Sequence, residues 1–335
     1  MKQTTALESV LRADDLLLQG IGRNVDILGI SNDSRTVKPG DLFICKGYGF
    51  KPEYLAKAQE AGAVCYLAQE KLESDLPAIL VRDVRKAQSL AAQWFYDYPS
   101  RAFTLVGITG TKGKTTTAYI LRSILTAAGR KTGMIGTVGT FIGDEMLCDA
   151  RNTTPESLEL HQRFAQMEQA GCTHVVMEVS SQAMKLHRVA GIEFDAAVFL
   201  NLSPDHIGPA EHADLDEYRA CKAALFAQCR MAVGNADDPN WAAMAARVRP
   251  GCPVSTFGFS CAAQVRGGAV SPIRGQGLLG SRFPVAGTAQ PYELSMPGAF
   301  NAADALAAIA VSRALAIPDE AVRAGLAHAS VRGRT

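Results

Sequence analysis

The stretch Phe103-Thr-Leu-Val-Gly-Ile-Thr-Gly-Thr-Lys-Gly-Lys-Thr-Thr116 decides the fold of this 335-residue chain. Its first six residues are mostly apolar or β-branched and predict a buried strand. A glycine-rich turn follows, and the residues from Thr115 to Ala128 place apolar side chains at helical spacing. A strand, a glycine-rich turn and a helix in that order are typical of a phosphate-binding loop.

The residue types in this loop are suited to binding the phosphates of a nucleotide. Gly110 and Gly113 let backbone N–H groups approach phosphates, and Lys114 can reach the β- and γ-phosphates. Thr115 offers a hydroxyl to Mg²⁺, and the positive end of the helix favours an anion. The strict motif G-x-x-x-x-G-K-[ST] requires glycine where this chain has Ile108, so the loop is a variant. A glycine-rich turn with exposed lysines is the alternative, and the flanking strand and helix make it the weaker one.

The chain after this loop continues as alternating strands and helices. Such alternation predicts a doubly wound, mostly parallel α/β sheet with ligands at the carboxyl ends of its strands. The Gly- and Pro-rich stretch 252–296 predicts added antiparallel β strands, and helices are expected at 301–314 and 319–327. The other elements predicted here are strands at 133–138, 174–179, 195–200 and 231–235, and helices at 155–170 and 215–229.

Residues 1–98 predict a separate, small α/β domain. Apolar residues at helical spacing near Leu7 are followed by a strand at 41–45, a helix at 54–61 and a strand at 63–67. A strand, helix, strand succession implies a parallel pair. We place the domain boundary between residues 98 and 99, so that the second domain covers 99–335.

Composition excludes several classes of protein. Hydrophobic residues make up 47% of the chain, which excludes wholesale disorder. Lys and Arg total 34 against 33 Asp and Glu, so the chain has no basic field for nucleic acid. No signal peptide and no apolar run of membrane-spanning length is present, so we expect no membrane partner. Eight cysteines without metal-ligand spacing predict reduced thiols and a cytoplasmic protein.

Polar residues stand where two buried strands end and on the helix that follows them. Glu178 closes one strand, where a carboxylate would lie beside the phosphate loop as a Mg²⁺ ligand. His206 closes the next strand in the segment 201–206, and we weigh it equally as structural or functional. Lys222 lies on a predicted helix, and its spacing alone predicts only a solvated lysine.

Together these segments resemble the Mur ligases, in particular those that form a UDP-N-acetylmuramoyl-tripeptide. The matching segments come in the family's order and span most of residues 30–335. They are Thr109-Gly-Thr-Lys-Gly-Lys-Thr-Thr-Thr117, Asn152-Thr-Thr-Pro155, Met177-Glu-Val-Ser-Ser181, Leu186-His-Arg188, Asn201-Leu-Ser-Pro-Asp-His206, Tyr218-Arg-Ala-Cys-Lys222 and Pro297-Gly-Ala-Phe-Asn301.

The resemblance implies an ATP-dependent amide ligase of peptidoglycan synthesis. The substrates of this family are ATP, a diamino acid (L-lysine or meso-diaminopimelate) and UDP-N-acetylmuramoyl-L-alanyl-D-glutamate. ATP phosphorylates the γ-carboxyl of the D-glutamate, and the amine of the diamino acid then displaces phosphate. An amine can attack the carboxylate only after it carries such a leaving group. Transfer of the phosphoryl group from ATP needs mainly positioning of the reactants and neutralisation of charge.

The resemblance also implies a role for each matching residue. Lys222 falls on a lysine that CO₂ carbamylates in this family, which would turn it into a Mg²⁺ ligand. Lys114, Lys222, His206 and Glu178 are therefore the expected catalytic residues. The expected Mg²⁺ ligands are Thr115, Glu178, His206 and carbamylated Lys222; the ATP contacts are Gly110, Thr111, Lys112, Gly113, Lys114, Thr115, Thr116 and Asn301; and the muramoyl-peptide and uridine contacts are Ser34, Asn152, Thr153, Thr154, Ser180 and Arg188.

Several features depart from the family pattern. Lys112 replaces a frequent asparagine, Leu186 a glutamine, and Asp304 a second adenine-side asparagine. The family has a uridine-nucleotide domain, an ATPase domain and a C-terminal ligase domain that selects the amino acid. This chain matches the first two, at 1–98 and 99–335, and we expect the third to be absent.

Two alternatives to the ligase hypothesis stay open on the sequence. The chain could be a truncated ATP- and UDP-sugar-binding fragment without ligase activity. It could also be a folylpolyglutamate synthetase, which has a similar loop, although the segments at 152–154 and 177–181 favour a muramoyl-peptide substrate. The oligomeric state is open, with a monomer as the expectation.

Overall fold

The computed structural model describes residues 2–47, 49–205, 207–208, 211–275 and 278–331. They form two compact units. The first unit extends to residue 99 and also takes in 156–165 and 186–191, and the second holds the rest. The sequence analysis placed a boundary at 98/99 and did not anticipate the two later segments. In the described part of the chain, no helix is long and apolar enough to cross a bilayer.

The first unit is built on a five-stranded sheet in the order β2-β7-β6-β5-β4. The four strands from β4 to β7 are parallel to their neighbours, and β2 pairs antiparallel at the edge. β1 and β3 form a separate antiparallel pair. The elements are β1 Lys2–Gln3, α1 Thr4–Ala13, β2 Leu17–Gln19, β3 Asp26–Ile27, β4 Gly29–Ser31, β5 Asp41–Ile44, α2 Pro52–Glu60, β6 Cys65–Ala68, β7 Ala78–Val81 and α3 Val84–Phe95.

Helices α1 and α3 cover the same side of this sheet because their apolar faces match it. Leu7 and Leu11 of α1 and Leu90 and Trp94 of α3 belong to one buried cluster. Helix α3 begins where the Asp83 carboxylate accepts hydrogen bonds from two backbone N–H groups of its first turn.

The second unit holds a nine-stranded sheet and a smaller three-stranded one among its described strands. A short 3₁₀ helix, Leu225–Gln228, follows α7, so the predicted helix 215–229 is shorter than expected. The elements are β8 Thr104–Thr109, α4 Lys114–Ala127, β9 Thr132–Ile135, β10 Gly139–Ile142, β11 Glu145–Asp149, α5 Ser157–Gln169, β12 His174–Glu178, α6 Ser181–Lys185, β13 Ala196–Phe199, α7 Leu215–Ala224, β14 Ala232–Asn235, α8 Trp241–Ala245, β15 Val254–Gly258, β16 Val265–Arg266, β17 Ser271–Gly275, β18 Leu278–Phe283, β19 Tyr292–Leu294, α9 Ala299–Ala314 and α10 Asp319–His328.

The nine strands run in the order β11-β10-β9-β12-β8-β13-β14-β15-β16. All neighbours from β9 to β16 are parallel, so the predicted fold class, doubly wound and mostly parallel, is confirmed. Antiparallel strands were predicted within 252–296, but β15 and β16 of this stretch extend the parallel sheet instead. Only β17, β18 and β19 form the antiparallel sheet expected there. A further antiparallel hairpin, β10 and β11, was not predicted.

The centre of this sheet fixes the position of the phosphate loop. β8 lies between β12 and β13, and all its residues after Thr104 are buried. Helix α4 packs on the sheet through Ile120, Leu121 and Ile124, and α9 packs beside it through an alanine-rich face. The carboxyl ends of β8, β12 and β13 therefore meet at one edge of the sheet.

Candidate functional site

The phosphate loop, residues 109–116, joins β8 directly to the first turn of α4. Gly113 precedes the helix with a φ of +87°, a left-handed conformation that strongly favours glycine. A Cβ at this position would also lie 2.3 Å from Oδ1 of Asp304. Two independent constraints therefore select glycine at the start of a helix whose free N–H groups can bind an anion.

Asn201, which follows β13, holds the loop in shape. Its side-chain oxygen accepts a hydrogen bond from the Lys112 N–H at 2.9 Å, and its amide donates to the Lys112 carbonyl at 3.0 Å. Its own carbonyl accepts the Thr111 N–H at 3.0 Å. The sequence analysis did not single out Asn201, although its position just after a buried strand was the signal that could have found it.

Two lysines converge on one carbonyl oxygen of the loop. Lys114 Nζ donates to the carbonyls of Gly110 at 2.8 Å and Thr111 at 3.2 Å. Lys222 Nζ donates to the same Gly110 carbonyl at 3.0 Å. Burial lowers the pKa of the Lys114 ammonium, against the opposing effect of the Glu178 charge. Lys114 carries a positive charge beside the loop, and Lys222 adds a second one when it is protonated, so the loop favours an anion.

Lys222 is fully buried, with 1% of its surface exposed. The prediction from its spacing, a solvated lysine, is therefore wrong. Its ammonium lies 4.4 Å from the centre of the Tyr218 ring. The Tyr218 hydroxyl in turn lies 3.2 Å from the Thr111 hydroxyl. Burial, with a smaller effect of the Lys114 charge, lowers the pKa of Lys222 to about 7. A large fraction of this amine is therefore neutral at physiological pH.

The Glu178 carboxylate lies beside the first turn of α4, as expected for a strand-end acid. It is buried and accepts hydrogen bonds from the hydroxyls of Thr115 and Thr137, both at 3.2 Å. Its other oxygen accepts the Thr137 N–H at 2.9 Å. One carboxylate and two hydroxyl oxygens thus converge at the helix N-terminus, and these are the hard donors that Mg²⁺ prefers. Thr137 was missed because nothing in its surrounding sequence marks it.

The segment 152–154 lies next to Glu178. The Thr154 hydroxyl is buried, donates to the Glu178 carbonyl at 2.9 Å and accepts the Ser180 N–H at 3.0 Å. The Thr153 hydroxyl lies 3.1 Å from that of Thr137. Asn152 is exposed. Three of the predicted substrate contacts, Thr153, Thr154 and Ser180, therefore lie close to the predicted Mg²⁺ ligand Glu178, and Asn152 precedes them in the chain.

A cleft of about 760 Å³ opens beside the phosphate loop. Lys112, Gly113 and Thr116 line one side, and Asn301 and Asp304 of α9 line the other. The Asn301 side-chain amide donates to the Pro297 carbonyl at 2.7 Å. The volume suits a nucleotide-sized ligand. Aromatic rings complete the wall at Phe257, Phe259 and Phe300.

The first unit has its own pocket of about 560 Å³, which contains the predicted residue Ser34. Lys46 and Arg35 supply positive charge to its lining, and Phe50 and Tyr54 supply an edge-to-face aromatic pair. Arg188, another predicted substrate contact, belongs to the same unit and pairs with Glu156. The predicted residue His206 lies outside the described residues.

Comparisons with known proteins point to one family. A sequence profile of the Mur ligase middle domain matches residues 108–312. The chain is 38% identical over 315 residues to the UDP-N-acetylmuramyl-tripeptide synthetase of Lactococcus lactis subsp. cremoris, covering 93% of this chain and 62% of that protein. It is 36% identical over 344 residues to the UDP-N-acetylmuramoyl-L-alanyl-D-glutamate–2,6-diaminopimelate ligase of Listeria monocytogenes, covering 98% and 68%. A Streptococcus suis L-lysine ligase for the same UDP-linked dipeptide is 36% identical over 311 residues, covering 93% of this chain and 62% of that protein.

Solved structures show the same fold. A UDP-N-acetylmuramoyl-L-alanyl-D-glutamate–2,6-diaminopimelate ligase matches 90% of this chain and 62% of its own, with a TM-score of 0.78 and 23% identity. A Mycobacterium tuberculosis folylpolyglutamate synthase complexed with ADP matches 74% of this chain and 63% of its own, with a TM-score of 0.59 and 19% identity.

The chain spans 62% of the length of the Lactococcus relative. The profile nevertheless covers the phosphate loop, β12, β13, α7 and α9, which are the elements that build the site around Lys114. Sequence identity extends beyond the profile across nearly the whole chain. The chain belongs to the Mur ligase family.

Proposed function

We propose that this protein is an ATP-dependent amide ligase that adds an amino acid to the D-glutamate of UDP-N-acetylmuramoyl-L-alanyl-D-glutamate. The observation that carries the proposal is the placement of Lys114, Glu178 and buried Lys222 around one phosphate loop. The names of the relatives supply the substrate class, since they are ligases or synthetases of UDP-N-acetylmuramoyl peptides. A cytoplasmic location fits, because ATP is available there.

In this proposal the loop binds the ATP phosphates. Lys114 donates to loop carbonyls in the structure, and phosphate oxygens are stronger acceptors for its ammonium. The positive charge of Lys114 and the helix N-terminus would stabilise the charge that develops during phosphoryl transfer. The cleft that contains Asn301 and Asp304 would take the nucleoside part of ATP.

Mg²⁺ fits the oxygen atoms around Glu178. Thr115 and Glu178 would hold the ion, and the Thr137 hydroxyl lies within hydrogen-bond distance of the same carboxylate. The ion would neutralise charge on the ATP phosphates. Glu178 has one further task in this chain, since it fixes the Thr137 N–H and so the turn after β9.

The environment of Lys222 favours carbamylation. Only a neutral amine reacts with CO₂, in a step where the new N–C bond forms, the amine loses a proton and a carbamate anion results. The pKa of about 7 keeps much of this amine neutral at physiological pH. The Lys114 ammonium, which also contacts Gly110, would then stabilise the anion. A carbamate supplies the oxygen ligand for Mg²⁺ that an ammonium cannot.

Several described residues would contact the UDP-linked substrate. Ser34 and the 560 Å³ pocket would take part of the uridine nucleotide, and Arg188 would bind an anionic group. Thr154 and Ser180 would position the dipeptide near the ATP site, since they are hydrogen bonded to each other beside Glu178. The amino acid that is added, L-lysine or meso-diaminopimelate, is not distinguished, because relatives of nearly equal identity carry both names.

The folylpolyglutamate alternative is the weaker one. Its solved relative shares the fold at 19% identity and covers 74% of this chain, whereas a tripeptide synthetase shares 38% identity over 93%. No observation on the described residues favours a folate over a UDP-sugar peptide.

The proposal is tested by an assay of ligation with the 335-residue chain. Purified protein is incubated with ATP, Mg²⁺, the UDP-linked dipeptide and either L-lysine or meso-diaminopimelate, and phosphate and tripeptide are measured. Calorimetric titration with ATP and with the UDP-linked dipeptide runs in parallel. We expect both ligands to bind and tripeptide to form weakly, and tripeptide formed with either amino acid would support the proposed ligase activity.

Two results would refute parts of this proposal. Binding of both ligands without turnover would show that the chain is a binding fragment and needs further protein for ligation. Binding of a folate in preference to the UDP-linked dipeptide would overturn the assigned substrate. Lys51→Met provides a control, because Lys51 is exposed and lies outside both the pocket and the loop.

A further inference from the structure

Two cysteines of the second unit, Cys229 and Cys252, lie against each other where two neighbouring strands begin. Cys229 precedes β14, and Cys252 precedes β15. The Cys252 thiol donates to the Cys229 carbonyl at 3.6 Å, and it is also a hydrogen-bond partner of the Cys229 thiol. Both residues are free thiols in the structure. Neither lines the cleft beside the phosphate loop, so the proposed ligase chemistry gives this pair no role.

The backbone holds the two cysteines at a spacing that a disulfide can bridge. β14 and β15 are parallel neighbours, with Ala232 opposite Val254. The Ala232 N–H donates to the Pro253 carbonyl at 2.9 Å, so the pairing extends to the residue next to Cys252. Neighbouring strands lie about 4.8 Å apart, and disulfides join Cα atoms that are about 4.4 to 6.8 Å apart. An S–S bond would therefore need rotation of side chains but no large movement of the strands.

The two thiols have different environments. Cys252 is partly exposed, whereas Cys229 is fully buried. Burial, with smaller effects of the charge and the hydrogen bond of Cys252, raises the pKa of the Cys229 thiol to about 12. An oxidant in solvent can therefore reach Cys252 first, while the Cys229 thiol stays protonated beside it. An accessible thiol with a second thiol next to it is the arrangement of redox-sensitive cysteine pairs.

Arg249 adds a positive charge beside the two thiols. Its guanidinium donates to the Cys229 carbonyl at 2.8 Å and pairs with Glu193 at 2.8 Å. Glu193 also pairs with Arg230 at 2.8 Å, so its negative charge is shared between two cations. A cation near a thiol favours the thiolate, which is the form that reacts with an oxidant. Arg249 should therefore assist oxidation of the pair.

We propose that Cys229 and Cys252 form a reversible redox site, which a hydroperoxide oxidises to a disulfide. The Cys252 thiolate attacks a peroxide oxygen, the O–O bond breaks, and the hydroxide that leaves takes up the proton that the thiol lost. The sulfenic acid on Cys252 then reacts with the Cys229 sulfur. The S–S bond forms, the S–O bond breaks, and the second hydroxide leaves as water with the Cys229 proton. Two electrons thus pass from the thiols to the peroxide, and a small dithiol restores both thiols by exchange.

The disulfide would join β14 to β15 at the ends of these strands that lie away from the nucleotide cleft. The cleft is lined by Asn235, at the carboxyl end of β14, and by Phe257, near that of β15. The bond would close a loop of the 22 residues 230–251, which include α8. Such a closure restricts the unfolded chain, so oxidation should stabilise the second unit. Two thiols that merely pack together are the competing explanation.

The experiment treats the full chain with hydrogen peroxide, blocks the remaining thiols with N-ethylmaleimide and maps tryptic peptides by mass spectrometry without reduction. The expected product links peptide 223–230 to peptide 248–266, with a mass two hydrogen atoms below their sum. Trypsin does not cut between Arg249 and Pro250, so the second peptide also contains the exposed Cys261. Cys261→Ser is therefore the matched control and should keep the linked product, whereas Cys252→Ser should lose it.

Thermal unfolding gives a second measurement. Oxidation should raise the midpoint of unfolding by about 5 °C in the unaltered protein and in Cys261→Ser, and dithiothreitol should reverse the rise. Cys252→Ser should show no rise. Oxidation of Cys252 to a sulfinic acid without a linked peptide, or links that involve other cysteines, would overturn the inference. An equal yield of the linked peptide from protein unfolded in urea would overturn it as well, because the fold would then not select this pair. None of these measurements depends on ATP or on the UDP-linked dipeptide, so the inference and the proposed function are tested separately.

Discussion

Replacing Lys222 by methionine should stabilise the second unit, and should do so more at pH 6 than at pH 9. Methionine has a similar length and no charge, so it removes the cost of burying an ammonium in a site that is 1% exposed. The measurement must be made in buffer free of CO₂, because carbamylation would remove the amine from the titration.

The magnitude follows from the pKa of Lys222, which falls from 10.5 to about 7. Below pH 7 the lysine is protonated in both the folded and the unfolded state, and the folded state bears the full cost of about 5 kcal/mol. Between pH 7 and 10.5 the folded protein releases the proton and the unfolded chain keeps it, so the cost falls by about 1.4 kcal/mol for each pH unit. The advantage of Lys222→Met should therefore be about 2 to 3 kcal/mol smaller at pH 9 than at pH 6.

Urea unfolding followed by Trp241 fluorescence measures this difference. Trp241 belongs to the second unit and stacks on Phe199 with ring centres 6.3 Å apart. The other tryptophan, Trp94, lies in the first unit, so Trp94→Phe in every variant leaves one reporter for the second. The free energy of unfolding is compared between the chain that keeps Lys222 and the Lys222→Met variant at each pH, so that effects of pH on other groups cancel.

Lys112→Met is the matched control, because Lys112 is an exposed lysine of the same loop. Its effect on the free energy of unfolding should be the same at both pH values to within about 0.5 kcal/mol. If Lys222→Met behaves like this control, Lys222 does not titrate near pH 7 in the folded protein, and the reasoning from its burial is refuted. A second measurement tests carbamylation itself. Bicarbonate added at pH 8 should stabilise the protein that keeps Lys222 but not the Lys222→Met variant. Stabilisation of both proteins would contradict carbamylation at Lys222.

Three further changes, and one control, test the phosphate loop and the carboxylate beside it. Lys114→Ala should weaken ATP binding by a factor of about 10 to 100, and leave UDP binding within about twofold, in calorimetric titrations; equal loss of both ligands would indicate misfolding. Gly113→Ala should lower the free energy of unfolding by about 1 to 3 kcal/mol and abolish ATP binding, because its φ is +87° and its Cβ would meet Asp304. Gly129→Ala, with a φ of +70° and open space around it, should cost only about 1 kcal/mol in urea unfolding and spare ATP binding; identical behaviour of both variants would contradict this account. Glu178→Gln keeps a hydrogen-bond acceptor but removes the charge, so the gain in ATP affinity on adding Mg²⁺ should fall about tenfold, and an unchanged gain would argue against Glu178 as a ligand.

The parallel core of the second unit could be predicted because strands buried on both faces are continuous apolar runs. Val175 and Val176 of β12 are fully buried, and the glycine-rich turns mark where such runs end. The hairpin of β10 and β11 could not be predicted in this way, since most of β11 is exposed and has no such run. The order of apolar residues also does not predict strand direction. The apolar residues of β15 fit a parallel or an antiparallel partner equally well, and the pairing with β14 makes the strand parallel.

The chemistry of the site was predictable where one short segment contains it, and not where distant segments create it. The loop from Gly110 to Thr116 carries its phosphate-binding groups in consecutive residues, so its sequence alone indicated them. Lys222 differs because its properties come from Gly110 and Tyr218, one of which is far away in the sequence. An identical lysine on a solvated helix would keep an ordinary pKa, and would stay an ammonium that neither reacts readily with CO₂ nor binds Mg²⁺. The fold therefore does more than position this residue: by burying the amine against a loop carbonyl and a second lysine, it sets the protonation state on which the proposed chemistry depends.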